Sequence, residues 1–475
     1  MMAIYLILVF IISLFLFLSK DRRLSYALVW SFILLQWLLT IYAFNHKDVA
    51  DLVYFTPDAI ALILLAIISL VCIPAFYHSY VYFNKHRNTP RERGIYYAAM
   101  VILIASLSSG YLSNHMGVTW IFVELTTLSA SALIYHRRNA RTLEATWKYL
   151  IVCSISITLV FIGILFLSIA IQQQGLEDLS YQTIINAAPL LNIFWLKLAF
   201  LFIFTGFSAK AAVVPMYTAG IDAKDKAPSP AGALLASVLM NVGFLGIFRF
   251  YEAIAQTGVL PWANNILLLA GFLSIFVAAV YILRVKNLKR MLAYSGVEHM
   301  GIIMIGLGSG GLGYYAAILH LILHSLAKPA LFFQAGQVIR VYQSKSIYDI
   351  GNYFAYNTSG ALVLLFSFFV ITAMPPSGMF ISEFMIFRSV FESRSFLLLA
   401  AVLLLLTLII WSQAKNFLKM IFIKPIHFKD ENLEKISPVE SISQYILILL
   451  VIYLGLNPPA MMVDLINESI RYLAH

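Results

Sequence analysis

Residues 320–330 read HLILHSLAKPA, which places His320, His324 and Lys328 four residues apart within an apolar run. On a helix, positions i, i+4 and i+8 share one face within about two turns. A neutral imidazole can pass a proton between its two nitrogens. A lysine stripped of water releases its proton closer to neutral pH. The row therefore has the chemistry of a proton wire. The plainer reading is three polar groups satisfying three separate neighbours; three on one face favour conduction.

Other charged side chains stand in similar surroundings. Glu124 lies mid-stretch in TWIFVELTTLSASA, and Lys210 lies as deep in GFSAKAAVVP. A charge at the centre of a bilayer costs about 2.5–3.5 kcal/mol on insertion scales, so such groups face a protein interior or water and usually serve transport. The remaining candidates have bland alternatives. Lys148 follows Glu144 by four residues, the spacing of an exposed helical pair. Arg249 and Glu252 sit near a helix end and either snorkel or act within the bundle. Arg388 comes late in its stretch with the same choice, Lys197 comes early in its own, and Glu298–His299 is either interfacial or functional.

The elements that must position these groups span a membrane. Of 475 residues, 61% are hydrophobic and 11% charged, and the mean hydropathy is +0.87. A soluble domain of this length could not hide so much apolar surface, so the lipid bilayer is the solvent. About fourteen apolar stretches reach the ~17–25 residues needed to cross. They occupy 3–19, 25–44, 58–83, 95–113, 115–135, 145–171, 190–219, 231–252, 262–283, 293–309, 313–339, 358–391, 396–414 and 441–463. The expected fold is an all-α polytopic membrane protein.

The net charge of +10 does not mark a nucleic-acid binder, because its distribution is topological. Alternate loops, including KDRR 20–23, NKHRNTPRER 84–93, RVKNLKR 284–290 and the 415–435 segment, hold 23 of the 32 Lys and Arg. The opposite loops and the tail hold only Lys47, Arg394 and Arg471. The positive-inside rule puts the basic set in the cytoplasm and both termini outside. Residues 1–19 lack a basic leading region, so they are expected to be a first span and not a cleaved signal peptide. Cys72 and Cys153 lie in separate apolar runs and cannot form a cluster site. No cofactor, metal, quinone or nucleotide site is visible in the chain.

Two stretches are interrupted. The seventh carries Gly206, Lys210 and Pro215, and the twelfth carries Pro375, Pro376 and Gly378 with Glu383 just beyond. A break frees backbone groups that lipid cannot satisfy, so it must face protein or a wet cavity. Stretches seven and twelve cross in opposite directions. Paired broken helices of opposite orientation are the signature of an inverted repeat with an ion path.

Over roughly 95–430 the chain resembles the antiporter-like subunits of respiratory complex I, membrane-bound hydrogenases and Mrp cation/proton antiporters. The resemblance rests on FVELTTLSA, GFSAKAAVVPMYTAGIDAKDKAPSPAGALL, LKRMLAYSGVEHMG, HLILHSLAKPALF and SGMFISEF, five motifs in order. EATWKYLIVCS and KLAFLFIFTGFSAK are most similar to component F of hydrogenase 4. The resemblance implies fourteen helices, with two inverted five-helix repeats that each contain a broken helix. Their bounds would be 95–252 and 253–420, preceded by three helices in 1–94 and followed by a cytoplasmic connection and last helix in 421–475. It implies a Glu124–Lys210 pair that gates proton affinity, Lys328 as central relay flanked by His320 and His324, and Glu383 as terminal relay, with Lys197, His299 and Arg388 in support. Many relatives carry Lys or His where this chain has Asn241, so water has to bridge there or the first half does not conduct. The implied role is a non-catalytic proton-pumping subunit of an oxidoreductase in a bacterial or archaeal cytoplasmic membrane. Its implied partners are other membrane subunits of the same family and a soluble redox arm, with no nucleic acid. The alternatives are a redox-free Mrp-type cation/proton antiporter subunit and a proton-driven bicarbonate-uptake module.

Overall fold

Side-chain caps start several of the long helices in the computed structural model, which describes residues 1–86, 88–424 and 434–473. Arg87 of the 84–93 loop and residues 425–433 of the basic 415–435 segment lie outside the described residues. The first six helices are α1 (Met2–Leu18), α2 (Arg22–Asn45), α3 (Ala59–Lys85), α4 (Pro90–Leu112), α5 (Met116–Ile134) and α6 (Ala140–Gln172). Asp21 caps α2 and Asp58 caps α3, while reciprocal capping boxes open α4 (Thr89 with Glu92) and α6 (Asn139 with Thr142). Each cap gives a partner to amide groups that a helix start leaves unpaired. Then follow α7 (Tyr181–Ala187), α8 (Ile193–Ala211), α9 (Ala219–Lys226), α10 (Ser229–Ala236), α11 (Val238–Ala255) and α12 (Leu260–Ile282). The rest are α13 (Leu288–Ser309), α14 (Leu312–Tyr342), α15 (Tyr353–Tyr356), α16 (Thr358–Ile371), α17 (Gly378–Glu392), α18 (Phe396–Phe422), α19 (Ile442–Leu456) and α20 (Ala460–Ser469).

Among the described residues, twelve spans are long and apolar enough to cross a membrane, with α1 and α16 as shorter apolar helices. The expected stretches are therefore present, with one informative shift. The tenth begins at Leu288, where Asn287 accepts from the Arg290 amide, and not at residue 293. Lys289 and Arg290 dilute the hydropathy of a first turn that the cap nevertheless makes helical. Glu298 and His299 consequently lie three turns inside α13.

The chain forms two compact units. Unit 1 comprises Met1–Ala227, Val238–Ala263 and Asp464–His475; unit 2 comprises Pro228–Ser237 and Asn264–Val463. In unit 1 a buried polar network ties the first four helices together. Tyr5 donates to Gln36 Oε1 at 2.7 Å, and Gln36 Nε2 donates to Ser69 at 3.1 Å and Ser108 at 3.0 Å. In lipid such satisfied bonds replace the hydrophobic drive that water would supply.

Both breaks answer for their backbone. In unit 1, α8 ends on Ala212 at φ 57°, the Val213 amide donates to the Ser208 carbonyl at 3.0 Å, and the Met216 amide donates to Ser208 Oγ at 3.3 Å. In unit 2, α16 ends at Ile371, Ala373 has φ 50°, and the Met374 amide donates to the Phe369 carbonyl at 2.9 Å. Ser377 Oγ then accepts from the Phe380 amide to start α17.

Arg249 corrects the snorkelling alternative. It is 2% exposed; its guanidinium donates to Asp58 Oδ2 at 2.9 Å, to the Tyr111 carbonyl at 2.8 Å and to the Ser113 carbonyl. The other Asp58 oxygen caps α3 at the Ala61 amide. One carboxylate thus starts α3 and anchors α11. Lys148 and Glu144, by contrast, form the exposed i,i+4 pair that their spacing predicts.

Helix α11 reaches α8 because Gly243 has no side chain. A Cβ there would overlap the Ala211 amide nitrogen and the Lys210 carbonyl carbon. Backbone cannot yield as a flexible side chain can, and overpacking of this kind costs about 1–3 kcal/mol. Gly243→Ala should lower the melting temperature of the detergent-solubilised protein by a few degrees. Gly258→Ala, where a Cβ meets nothing within 4 Å, should leave it unchanged.

Candidate functional site

Unit 1 surrounds Lys210 with oxygen. The side chain occupies the last turn of α8 before the break and is 6% exposed. Its ammonium donates to Thr127 Oγ1 at 2.9 Å, Tyr149 Oη at 3.1 Å and Thr126 Oγ1 at 3.2 Å, and lies 5.2 Å from the Tyr149 ring centroid. The Thr127 hydroxyl donates in turn to Glu124 Oε2 at 3.2 Å. Glu124 and Lys210 are therefore joined through one hydroxyl, which can accept a proton from one side and give one to the other. Glu124 is half-buried, on a face of α5 that also exposes Ile121, Leu125 and Leu128.

Asn241 is fully buried in α11, two residues before the glycine that presses on Lys210. Lys197 lies near the start of α8 with its ammonium 5.3 Å from the Trp262 ring. Thirteen residues of helix, roughly 20 Å, separate it from Lys210, so the structure does not bring the two together.

Lys224 was not legible as a site residue. DAKDK reads as a polar connection, yet Lys224 is 2% exposed and Asp225 1% exposed within α9. The Lys224 ammonium rests 3.2 Å from Met240 Sδ, beside Asn241. A thioether does not balance a charge, and burial pushes the Lys224 amine down to about 7. Beyond the end of α11, Asp48, Asp58, Arg249, Glu252, Glu468 and Arg471 line a cavity of about 480 Å³. Burial raises the Asp48 carboxyl above its usual range, opposed by Lys47 and reinforced by Glu468 and Asp58.

Unit 2 holds the longer row. Lys328, His324 and His320 are all fully buried along α14, and Pro329 interrupts the helical ladder directly after the lysine. The Lys328 ammonium donates to Ser295 Oγ and to the Leu292 carbonyl at 3.2 Å. Ser295, Glu298 and His299 follow at i, i+3 and i+4 on α13, and all three are buried. Gln413 of α18 donates to Glu298 at 3.4 Å. The His299 ring centroid lies 5.4 Å from that of His324 and 5.3 Å from that of His320. His299 Nδ1 is 3.2 Å from His320 Nε2 and 3.8 Å from Glu383 Oε1. His320 Nδ1 reaches Ser382 Oγ at 2.9 Å. The α14 stripe thus meets a second stripe on α13, and both end at α17.

His299, His320 and Glu383 each bring one ligand atom into a group whose members lie within 4.8 Å of one another, close enough for a metal ion. Arg388 does not join the row. Its side chain is 63% exposed and pairs with Glu392 at 2.8 Å, one turn along α17. Residues 113–409 match the model of the transmembrane NADH:quinone oxidoreductase/Mrp antiporter family.

The chain belongs to this family.

A hydrogenase-4 component F homolog from Methylacidiphilum infernorum is 30% identical over 321 residues, 67% of each chain. The fold matches that of a subunit in the membrane-bound sulfane sulfur reductase, an archaeal respiratory membrane complex. There the TM-score is 0.86 at 18% identity, covering 100% of this chain and 97% of the other. It matches a subunit of the Mrp complex from Dietzia sp. with a TM-score of 0.85 at 14% identity, again covering 100% and 97%. This member of the antiporter-like family places Ser295, Glu298 and Ser382 among the motif residues. Glu298 had a weak signal, an acid beside a histidine. Ser295 and Ser382 had none, because serine is common in spanning helices.

The burial of Lys224 sets a pH dependence. Below about pH 7 the amine is charged in both folded and unfolded chains, and the cost of burying that charge is present in full. Between about 7 and the ordinary lysine value near 10.4, the folded chain has released the proton while the unfolded chain still holds it, so stability rises with pH. Lys224→Met should therefore raise the melting temperature most at pH 6, and the gain should shrink towards pH 10. Melts of wild type and variant across that range would measure it.

Proposed function

We propose that the chain is the proton-translocating membrane subunit of a redox-driven complex of the hydrogenase-4 or NADH:quinone oxidoreductase kind, with no catalytic residue of its own. One observation supports the reading: a buried row that includes Lys328, His324, His299, His320 and Glu383, lined by Ser295, Glu298 and Ser382. Every member binds or releases a proton, or holds a hydroxyl through which one passes. None of them faces lipid, so the cost of their polarity has to be met by function or by one another.

In this reading Lys328 carries the proton as an ammonium held by the Ser295 hydroxyl and the Leu292 carbonyl and releases it into the row. The imidazoles hand it along by exchanging which nitrogen is protonated, and Glu383 delivers it. In unit 1, a change of charge at Glu124 reaches Lys210 through Thr127. Because Glu124 sits on an exposed apolar face of α5, a neighbouring membrane subunit packed there would alter its surroundings first. Asn241 cannot take up a proton, and Lys224, against the adjacent Met240, gives this part of unit 1 a titratable group. The 480 Å³ cavity would be the wet opening of unit 1. The basic loops support an orientation with both termini outside.

The component F homolog supports a hydrogenase-type complex with other membrane subunits and a soluble redox arm. Purification from native membranes should therefore bring down proteins that carry metal clusters. Recovery of the chain with only cluster-free membrane proteins would overturn the redox assignment in favour of a cation/proton antiporter or an uptake module.

Vesicles containing the whole complex test the row. Lys328→Ala should reduce acidification per electron transferred to less than a tenth of wild type, while Glu144→Gln leaves it unchanged. Equal pumping by wild type and Lys328→Ala would remove Lys328 as the central relay.

A further inference from the structure

The trio at the end of the row has a second capability. The Ser382 hydroxyl donates to the Met379 carbonyl at 3.0 Å, so its oxygen accepts from His320 Nδ1 at 2.9 Å. With the proton on Nδ1, His320 Nε2 carries a lone pair, and it points at His299 Nδ1, 3.2 Å away. Glu383 Oε1 adds a carboxylate 3.8 Å from the same His299 nitrogen. Three donor atoms therefore converge on one point, and they are compatible only if something positive lies among them. A shared proton suffices, donated from His299 Nδ1 to His320 Nε2. A metal ion fits the same place.

The dimensions support this. A tetrahedral ion bound at about 2.0–2.1 Å holds its ligand atoms about 3.3 Å apart. The two measured separations bracket that spacing, and the whole group lies within 4.8 Å. Two imidazoles and one carboxylate suit a borderline ion such as Zn²⁺, whereas Mg²⁺ and Ca²⁺ want oxygen. The Ser382 hydrogen bond orients His320 as the outer contacts of metal-binding histidines do. Glu383 retains 8% exposure, so the trio is not sealed, and the fourth position is left for water.

We propose that His299, His320 and Glu383 form an inhibitory site for a divalent transition-metal ion of the Zn²⁺ type, which displaces the proton shared by the two imidazoles and blocks the row. The proposal rests on the row being the ion path for its inhibitory consequence, but not for the binding itself. On binding, the ion accepts lone pairs from His299 Nδ1, His320 Nε2 and the carboxylate, and the proton of His299 moves from Nδ1 to Nε2, so that both imidazoles stay neutral. No oxidation or reduction is involved.

The test uses the whole purified complex with Zn²⁺ as the probe. Binding is followed by calorimetry, and the coordination shell by X-ray absorption at the zinc edge. Wild type should bind one Zn²⁺ per chain with imidazole in its shell, and occupancy should stop proton transport in vesicles. His320→Gln and Glu383→Gln should each weaken binding at least tenfold while the complex still assembles. Lys328→Ala, which leaves all three donors in place, should bind Zn²⁺ as wild type does. This separates the metal site from the transport reading, since the variant can lose pumping and keep the ion. Equal affinity in wild type and both donor variants, a zinc shell without imidazole, or undiminished transport at full occupancy would each overturn the proposal.

Discussion

A lysine ammonium in hydrocarbon is the constraint around which this fold is arranged. Its insertion costs about 2.5–3.5 kcal/mol, and a hydrogen bond to a charged group returns about 1.5–3 kcal/mol. Lys210 has three such bonds and an aromatic face, which offset that cost. The partners are hydroxyls, and Glu124 is reached through one of them. A direct buried ion pair would hold its proton balance more rigidly and cost more to open. Hydroxyl partners can both accept and donate, which leaves the proton of the amine transferable.

The same constraint explains the backbone. Each lysine lies beside an irregularity of its helix. Lys210 lies immediately before the break in α8, and Lys328 immediately before Pro329. At the first break Ser208 satisfies two amides, through its carbonyl and its hydroxyl. At the second, the Ser377 hydroxyl starts the helix that brings Glu383 to the histidines. Glycine supplies the remaining closeness, since Gly243 lets α11 lie against the peptide of Lys210 itself. Helix ends, small residues and hydroxyls thus form one device, a polar interior with no exposed backbone.

Much of this was readable from residue order. Long apolar stretches give the spanning helices because length and hydropathy are sufficient for a span. The stripe His320, His324, Lys328 gives one wall of the row because helical spacing fixes which side chains share a face. The opposite wall was less legible. In the sequence Glu298 and His299 fit both an interfacial and a functional role, because Lys289 and Arg290 hide the true start of α13. Arg249 looked able to snorkel, since nothing local announces the carbonyls of Tyr111 and Ser113 that hold it more than 130 residues away in sequence. Lys224 was lost for a similar reason. A short polar helix after a break carries no period that predicts burial; its place is set by the elements it folds against.

The two lysines differ in what lies beyond them, and this difference decides how each can move charge. Lys210 leads to one carboxylate on a face that is half open, so its state answers to whatever packs against α5. Lys328 leads to three buried imidazoles and a carboxylate that keeps only a small exposure, so its state answers first to the protons already in the row. Imidazoles suit the buried position because each can be donor and acceptor at once. Their convergence has a consequence that no hydroxyl shares. Two ring nitrogens facing one another at 3.2 Å beside a carboxylate share one proton between them, and a site shaped to keep a proton among three bases has donor atoms placed as a metal ion needs them.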